Sequence, residues 1–255
     1  MNYIRKNELF LLEELVKKNF SSKYKDSVLG ILWTILNPLL IMALFTIIFS
    51  TLFGRNIENF PVYFLCGKCV FDFFNGIVSG SMYSLKSNKN ILQRTPVPKY
   101  VFILAGALSE ALNFLITLIL LIGVMIVTNA PFYGTIIFSI IPVFFLFIMS
   151  TGFGLILSVM SVYYSDIQHL WSVILLMLFY SSAIFFPMDI IPEPFHQFMI
   201  LNPIFWAIDQ FRYFIYYGVF PQAIYMFNLA LLSLIILLFG IIIFKKYEKN
   251  INIKL

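Results

Sequence analysis

The chain has 255 residues, of which 61% are hydrophobic and only 11% charged, and its mean hydropathy is +0.93. Soluble domains carry about 25% charged residues, so a water-soluble globule is excluded and the medium around the protein is largely lipid. The formal net charge of +5 has no soluble basic domain behind it, which excludes nucleic-acid binding.

Residues 1–29 form their own element. In "NELFLLEELVKKNFSSKYKDS", Leu9, Leu12, Val16 and Phe20 make one stripe with Leu11 and Leu15 beside it. Glu13, Glu14, Lys17, Lys18 and Lys25 fall largely opposite. That is helical periodicity with a wet face and a greasy face. The segment is too charged to span a bilayer and is expected to lie along the cytoplasmic interface. It serves there either as a lipid-resting anchor or as a platform for a partner. With no small-residue cleavage site before the first span, it is not a cleaved signal peptide.

Residues 30–255 hold six continuous apolar runs, at about 31–53, 61–85, 101–128, 135–162, 168–187 and 223–244. A helical span needs roughly 20 such residues, and unbroken runs favour helices over barrel strands. Asn37-Pro38 predicts a kink in span 1. In span 2, "CGKC" with Cys66 and Cys69 reads as small apolar filler rather than a redox pair. Lys68 and Asp72 follow on one face, either as an ion pair or facing a polar cavity, because charges at this depth are costly otherwise. Gly76 and Gly80 make a small-xxx-small step for close packing.

The loop "SLKSNKNILQRTPVPKYVF" predicts a helical turn or two at 88–93, then an extended exit imposed by Pro96 and Pro98. Span 3 buries Glu110, which needs a hydrogen-bonding neighbour or a proton. The "TGFG" of span 4 permits close packing, and Asp166 is placed to cap span 5.

After span 5 the chain stays aromatic but breaks at Pro192, Pro194 and Pro203. Two short helices are expected, at about 195–201 and 203–217. Asn202 would be the N-cap of the second, Pro203 its first residue and Gly218 its stop. Ile204, Ile208, Phe211 and Ile215 would form its apolar face, and Asp209, Arg212, Tyr213 and Tyr216 its polar one. The pair would dip into the outer leaflet and return, because broken backbone is tolerated there only under protein or water. They would form a lid over a path.

Lys and Arg set orientation. They cluster before span 1, between spans 2 and 3 (Lys86, Lys89, Arg94, Lys99) and after span 6 (Lys245, Lys246, Lys249, Lys254). Only Arg55 and Arg212 fall on the opposite side, with Lys68 inside span 2. Both termini are therefore expected in the cytoplasm. The fold class is all-α integral membrane, with six spans, an interface helix and two re-entrant outer helices. No phosphate-binding loop, HExxH or nucleophile elbow occurs, so the chain is not expected to be an enzyme or to hold a metal.

Four segments resemble one family, the membrane subunits of polysaccharide-exporting ABC transporters, which handle O-antigen, capsular polysaccharide and teichoic acid. They are "KYKDSVLGILWTILNPLL", "SLKSNKNILQRTPVPKYVFIL", "YYSDI" and "LNPIFWAIDQFRYFIYYG". Ser165 departs from the arginine that relatives often carry, and Lys68 and Asp72 are unusual. The resemblance implies export of a lipid-linked polysaccharide or polyol-phosphate polymer across a prokaryotic plasma membrane. It also implies a homodimer in membrane lipid, working with two ATP-binding cassette subunits that hold ATP and Mg; this chain itself needs no cofactor. On that reading Lys17, Lys18, Asn88, Lys89, Leu92 and Arg94 couple to the ATPase. Trp33, Phe45 and Phe49, with Tyr180, Phe185 and Phe186, line the path, while Asn202, Pro203, Asp209 and Arg212 form the outer gate. Export of a drug or small lipid on the same scaffold is the alternative, and a multispan channel or structural protein without a motor is a third reading.

Overall fold

The computed structural model describes residues 2–25, 27–52, 57–94, 97–188 and 191–254. Phe53, Arg55 and Pro96 lie outside the described residues. The described chain is helical throughout: α1 (Asn2–Tyr24), α2 (Leu32–Leu52), α3 (Phe60–Ser87), α4 (Lys89–Arg94) and α5 (Tyr100–Val127) come first. A 3-10 turn (Gly134–Ser139) leads into α6 (Ile140–Tyr163), then α7 (Ile167–Tyr180), α8 (Glu193–Ile200), α9 (Pro203–Ile215) and α10 (Ala223–Lys254).

Helix α3 is the centre of the molecule. Phe64, Leu65, Cys66, Phe74, Ile77 and Val78 are buried along it against α5, α6 and α9. Helices α6 and α10 cross at glycine: a Cβ on Gly152 would lie 2.8 Å from the Ile236 backbone, and one on Gly240 would lie 2.5 Å from the Gly152 carbonyl oxygen. That is the close packing expected of "TGFG". A second, smaller core closes the lysine-rich end, where Leu15 of α1, Leu85, Leu92, Phe102, Val159, Phe244 and Ile251 meet.

Five helical segments are long and apolar enough to cross a bilayer: α2, α3, α5, the 134–163 segment and α10. The expected fifth span is shorter than 168–187. Helix α7 has 14 residues, about 21 Å against a hydrocarbon core of about 30 Å. The Ser182 hydroxyl folds back onto the Leu178 carbonyl at 2.5 Å, and Ala183 takes a left-handed φ of 51°. In contrast, α10 continues ten residues beyond the expected end at 244, because lysines end an apolar run without ending a helix.

Two local readings change. Asp166 occupies the N-cap position of α7, but its side chain makes no cap bond. Among the described side chains of α1, Leu15 is buried, with Leu11, Leu12 and Val16 packed beside it, whereas Leu9 of the expected stripe is exposed.

Candidate functional site

The polar segment that follows α7 is pinned to the broken end of that helix by two side chains. Asn202 is buried, and its Oδ1 accepts from the Ile204 amide at 2.9 Å, making the expected cap. Its Nδ2 donates to the Leu178 carbonyl at 3.0 Å and to the hydroxyls of Ser181 and Ser182 at 2.9 and 2.8 Å. One side chain thus starts α9 and closes α7. Pro203 takes the first-turn position, where a missing N–H costs nothing. At the far end of α9, Gly218 has φ 69°, and a Cβ there would meet the Tyr133 ring at 2.4 Å.

Arg212 was read as part of a polar face and is instead 2% exposed. Its Nη1 donates to the Ala183 carbonyl at 2.7 Å and the Tyr63 hydroxyl at 2.9 Å, and Nη2 donates to the Ile184 carbonyl at 3.0 Å. Nε and Nη2 also reach the Tyr63 carbonyl, at 3.3 and 3.2 Å. The reason is geometric: carbonyls released where α7 ends need donors, and a five-donor fork supplies them. Asp209 stays part-exposed in the wall of a cavity of about 830 Å³, with Trp206, Tyr213 and Tyr225. Burial pushes its carboxyl up to about 6, with the Arg212 charge opposing.

Five of the six aromatics read as path lining converge. Phe185 is 4% exposed and sits 4.6 Å from Phe45 between ring centroids, 6.0 Å from Phe49, 6.2 Å from Tyr180 and 6.5 Å from Phe186. Phe64 and Phe179 complete the group, which fills the seam between α2, α3 and the end of α7. Phe185 is therefore its packed centre, and Tyr180, 59% exposed, is its rim. Trp33 stands apart, in the wall of a separate cavity of about 820 Å³.

At the lysine-rich end, Lys18 Nζ donates to Asn88 Oδ1 at 3.1 Å, so α1 is bound to the residue that caps the end of α3 just before α4. Lys89 and Arg94 are exposed, and Lys17 pairs with Glu13 at 2.8 Å on the open face of α1. Leu92, grouped with these as a contact residue, is 3% exposed and anchors α4 in the small core. Of the six residues of α4, Leu92 is the one buried against the small core.

The partners missing from the sequence reading are Tyr63 and the carbonyls of residues 183 and 184, brought to Arg212 from distant positions. Neither a motif nor a spacing marks them. Among the described residues no three His, Cys, Asp or Glu side chains group as a metal site.

A family description, ABC-2 type transporter, matches residues 11–216. The chain is 28% identical over 243 residues to the O-antigen export system permease protein RfbA of Klebsiella pneumoniae, covering 93% of this chain and 92% of that protein. It is 25% identical to the RfbA protein of Myxococcus xanthus, covering 89% and 88%. It is also 26% identical to the polysialic acid transport protein KpsM of Escherichia coli, covering 93% of each.

Proposed function

Because this chain belongs to the ABC-2 type transporter family, we propose that it is the membrane subunit of an ATP-driven exporter of a lipid-linked polysaccharide or polyol-phosphate polymer. Export runs from the cytoplasm across the plasma membrane. The near full-length likeness to O-antigen and polysialic acid permeases supports the substrate class. The observation that carries the reading is the aromatic seam of Phe45, Phe49, Tyr180, Phe185 and Phe186 at the outer half of α2 and α7. Sugar rings can stack on Tyr180 and the part-exposed Phe45, Phe49 and Phe186, with Phe185 packed behind them, and weak repeated contacts suit a polymer that must slide.

Helix α7 leaves Leu170, Val173, Leu176, Met177 and Tyr180 exposed, and α2 leaves Leu40, Leu44 and Ile47 exposed. A second copy placed against these faces would turn two seams into one conduit. ATP and Mg belong to two ATP-binding subunits, which dock at the lysine-rich end through Lys17, Lys18, Asn88, Lys89 and Arg94. Their closure pushes on α1 and on the α3–α4 junction as one unit, since Lys18 and Asn88 are bound. On the outer side Asn202, Pro203, Asp209 and Arg212 hold the closing segment against the end of α7. Termini in the cytoplasm follow from the lysine distribution.

The test is reconstitution with the cognate ATP-binding subunit in vesicles. Lipid-linked glycan is expected to stimulate ATP hydrolysis and to appear on the opposite side. Stimulation by small amphiphiles alone, with no response to glycan, would overturn the reading in favour of a small-molecule exporter.

A further inference from the structure

Four charged side chains that the export reading leaves unused surround one cavity. Lys68 and Asp72 lie eight and twelve residues into α3, and Glu110 ten residues into α5, about 12–18 Å along helices that can cross a bilayer. Lys23 reaches them from the end of α1. Charge at this depth needs a partner or a water-filled space, and here it has both. Lys23 Nζ contacts both Glu110 oxygens at 3.1 Å, and Lys68 Nζ contacts Asp72 at 2.5 Å. Yet 39% of the Asp72 side chain remains accessible, in a cavity of about 820 Å³. That volume lies within the usual range of ligand pockets.

The wall is pre-set by further bonds. Asn113 Nδ2 donates to Glu110 at 3.0 Å, and the Tyr24 hydroxyl donates to Asn113 Oδ1 at 2.6 Å. Gly76 leaves room for the carboxylate, since a Cβ there would meet Glu110 Oε2 at 2.7 Å. The Trp33 indole, 48% exposed, forms another part of the wall. Two cations and two carboxylates sum to zero charge. An anionic ligand would have to break the lysine pairs, and an apolar one would strand the carboxylates. A neutral polyol finds fixed acceptors and donors for its hydroxyls and one aromatic face for its ring.

We propose that the cavity bounded by Trp33, Lys68, Asp72 and Glu110 binds neutral sugar units of the transported chain, as a station separate from the Phe185 seam. This rests on the export reading and adds a charge preference to it.

The test uses the full chain in detergent, with Trp171→Phe and Trp206→Phe leaving Trp33 as the reporter. A neutral hexose trisaccharide is expected to change Trp33 emission saturably, and its uronic-acid counterpart to need at least tenfold higher concentration. Asp72→Asn and Glu110→Gln, which keep side-chain shape, should each raise half-saturation at least tenfold while still co-purifying with the ATP-binding subunit. If either variant loses co-purification, Lys68→Gln combined with Asp72→Asn, which removes both charges of the pair together, takes its place. No saturable change, equal response to both saccharides, or unaltered half-saturation in the variants would overturn the station. If that occurs while the parent complex still exports glycan in vesicles, only the station falls. If the parent exports none, the export reading falls with it.

Discussion

The guanidinium of Arg212 lies 3.6 Å from the centroid of the Tyr63 ring and also donates to the hydroxyl of that same residue at 2.9 Å. Among the described residues no carboxylate stands within ion-pair distance of it. The buried charge is held by carbonyl dipoles and a π face instead. Three separate elements, α3, the end of α7 and α9, are joined at this one side chain.

Arg212→Lys should therefore behave as a disruptive change. An ammonium cannot present a planar fork to carbonyls at 183, 184 and 63 together. Stranding one or two buried carbonyls costs about 2–3 kcal/mol. Thermal unfolding in detergent measures it, and a Lys variant as stable as the parent would show that the fork is dispensable.

Asn202 can be dissected by two substitutions. Asn202→Asp keeps the acceptor for the Ile204 amide but removes the donors to Leu178, Ser181 and Ser182. Asn202→Ala removes both. The cap alone is worth about 1 kcal/mol, so the Ala variant should be the less stable by about that amount. Both should fall below the parent. Equal stability of the Asp variant and the parent would mean that α7 is closed by other contacts.

Coupling is best probed at exposed positions. Lys89→Glu with Arg94→Glu should lower glycan-stimulated ATP hydrolysis several-fold while changing stability by less than about 0.5 kcal/mol per site. Leu92→Ala, in contrast, empties a buried site and should cost about 2–4 kcal/mol. Normal stimulated hydrolysis in the charge-reversed pair would remove α4 from the docking surface.

Asp209 makes stability depend on pH. Its carboxyl is raised from 3.8 to about 6 by burial, so between those values the folded protein holds a proton that the unfolded chain has released. Stability then falls as pH rises through about 4 to 6, and the loss is complete above that window. The full displacement is worth roughly 3 kcal/mol. Asp209→Asn should flatten the curve and stabilise the protein at neutral pH. Unfolding temperatures of parent and variant across this range decide it; a slope retained in the variant would locate the titration elsewhere.

Legibility followed the range of the interactions. Asn202, Pro203 and Gly218 act on backbone within a few residues of themselves, and their types alone marked the start and stop of α9. The end of α7 was invisible because Ser181, Ser182 and Ala183 carry no strong breaker. Their bend is completed by Arg212, 28 and 29 residues further on. Glu110 announced a need for a partner by its depth, but Lys23 lies 87 residues away and could not be named. The resemblance pointed to these aromatics as path lining and not to their packing on one another; five of them meet at Phe185, and Trp33 joins a different cavity. That Leu92 faces the small core could not be read in advance, because six residues are too few for periodicity to show which side faces in.

Helix α10 is unbroken for 32 residues, about 48 Å. Near its lysine-rich end the Glu248 carbonyl receives the Lys99 ammonium; near the other the Tyr225 carbonyl receives the Gln210 amide at 2.9 Å. These anchor points are 23 residues apart, about 35 Å along a stiff rod. Its fulcrum is the crossing at Gly152 and Gly240, where backbones touch and no side chain cushions the contact. Close backbone approach at this crossing gives the rod a point about which a tilt would turn. A tilt of about 5° at that crossing moves Tyr225 by roughly 2 Å, enough to stretch its bond to α9, so leverage alone can connect the two faces of the protein.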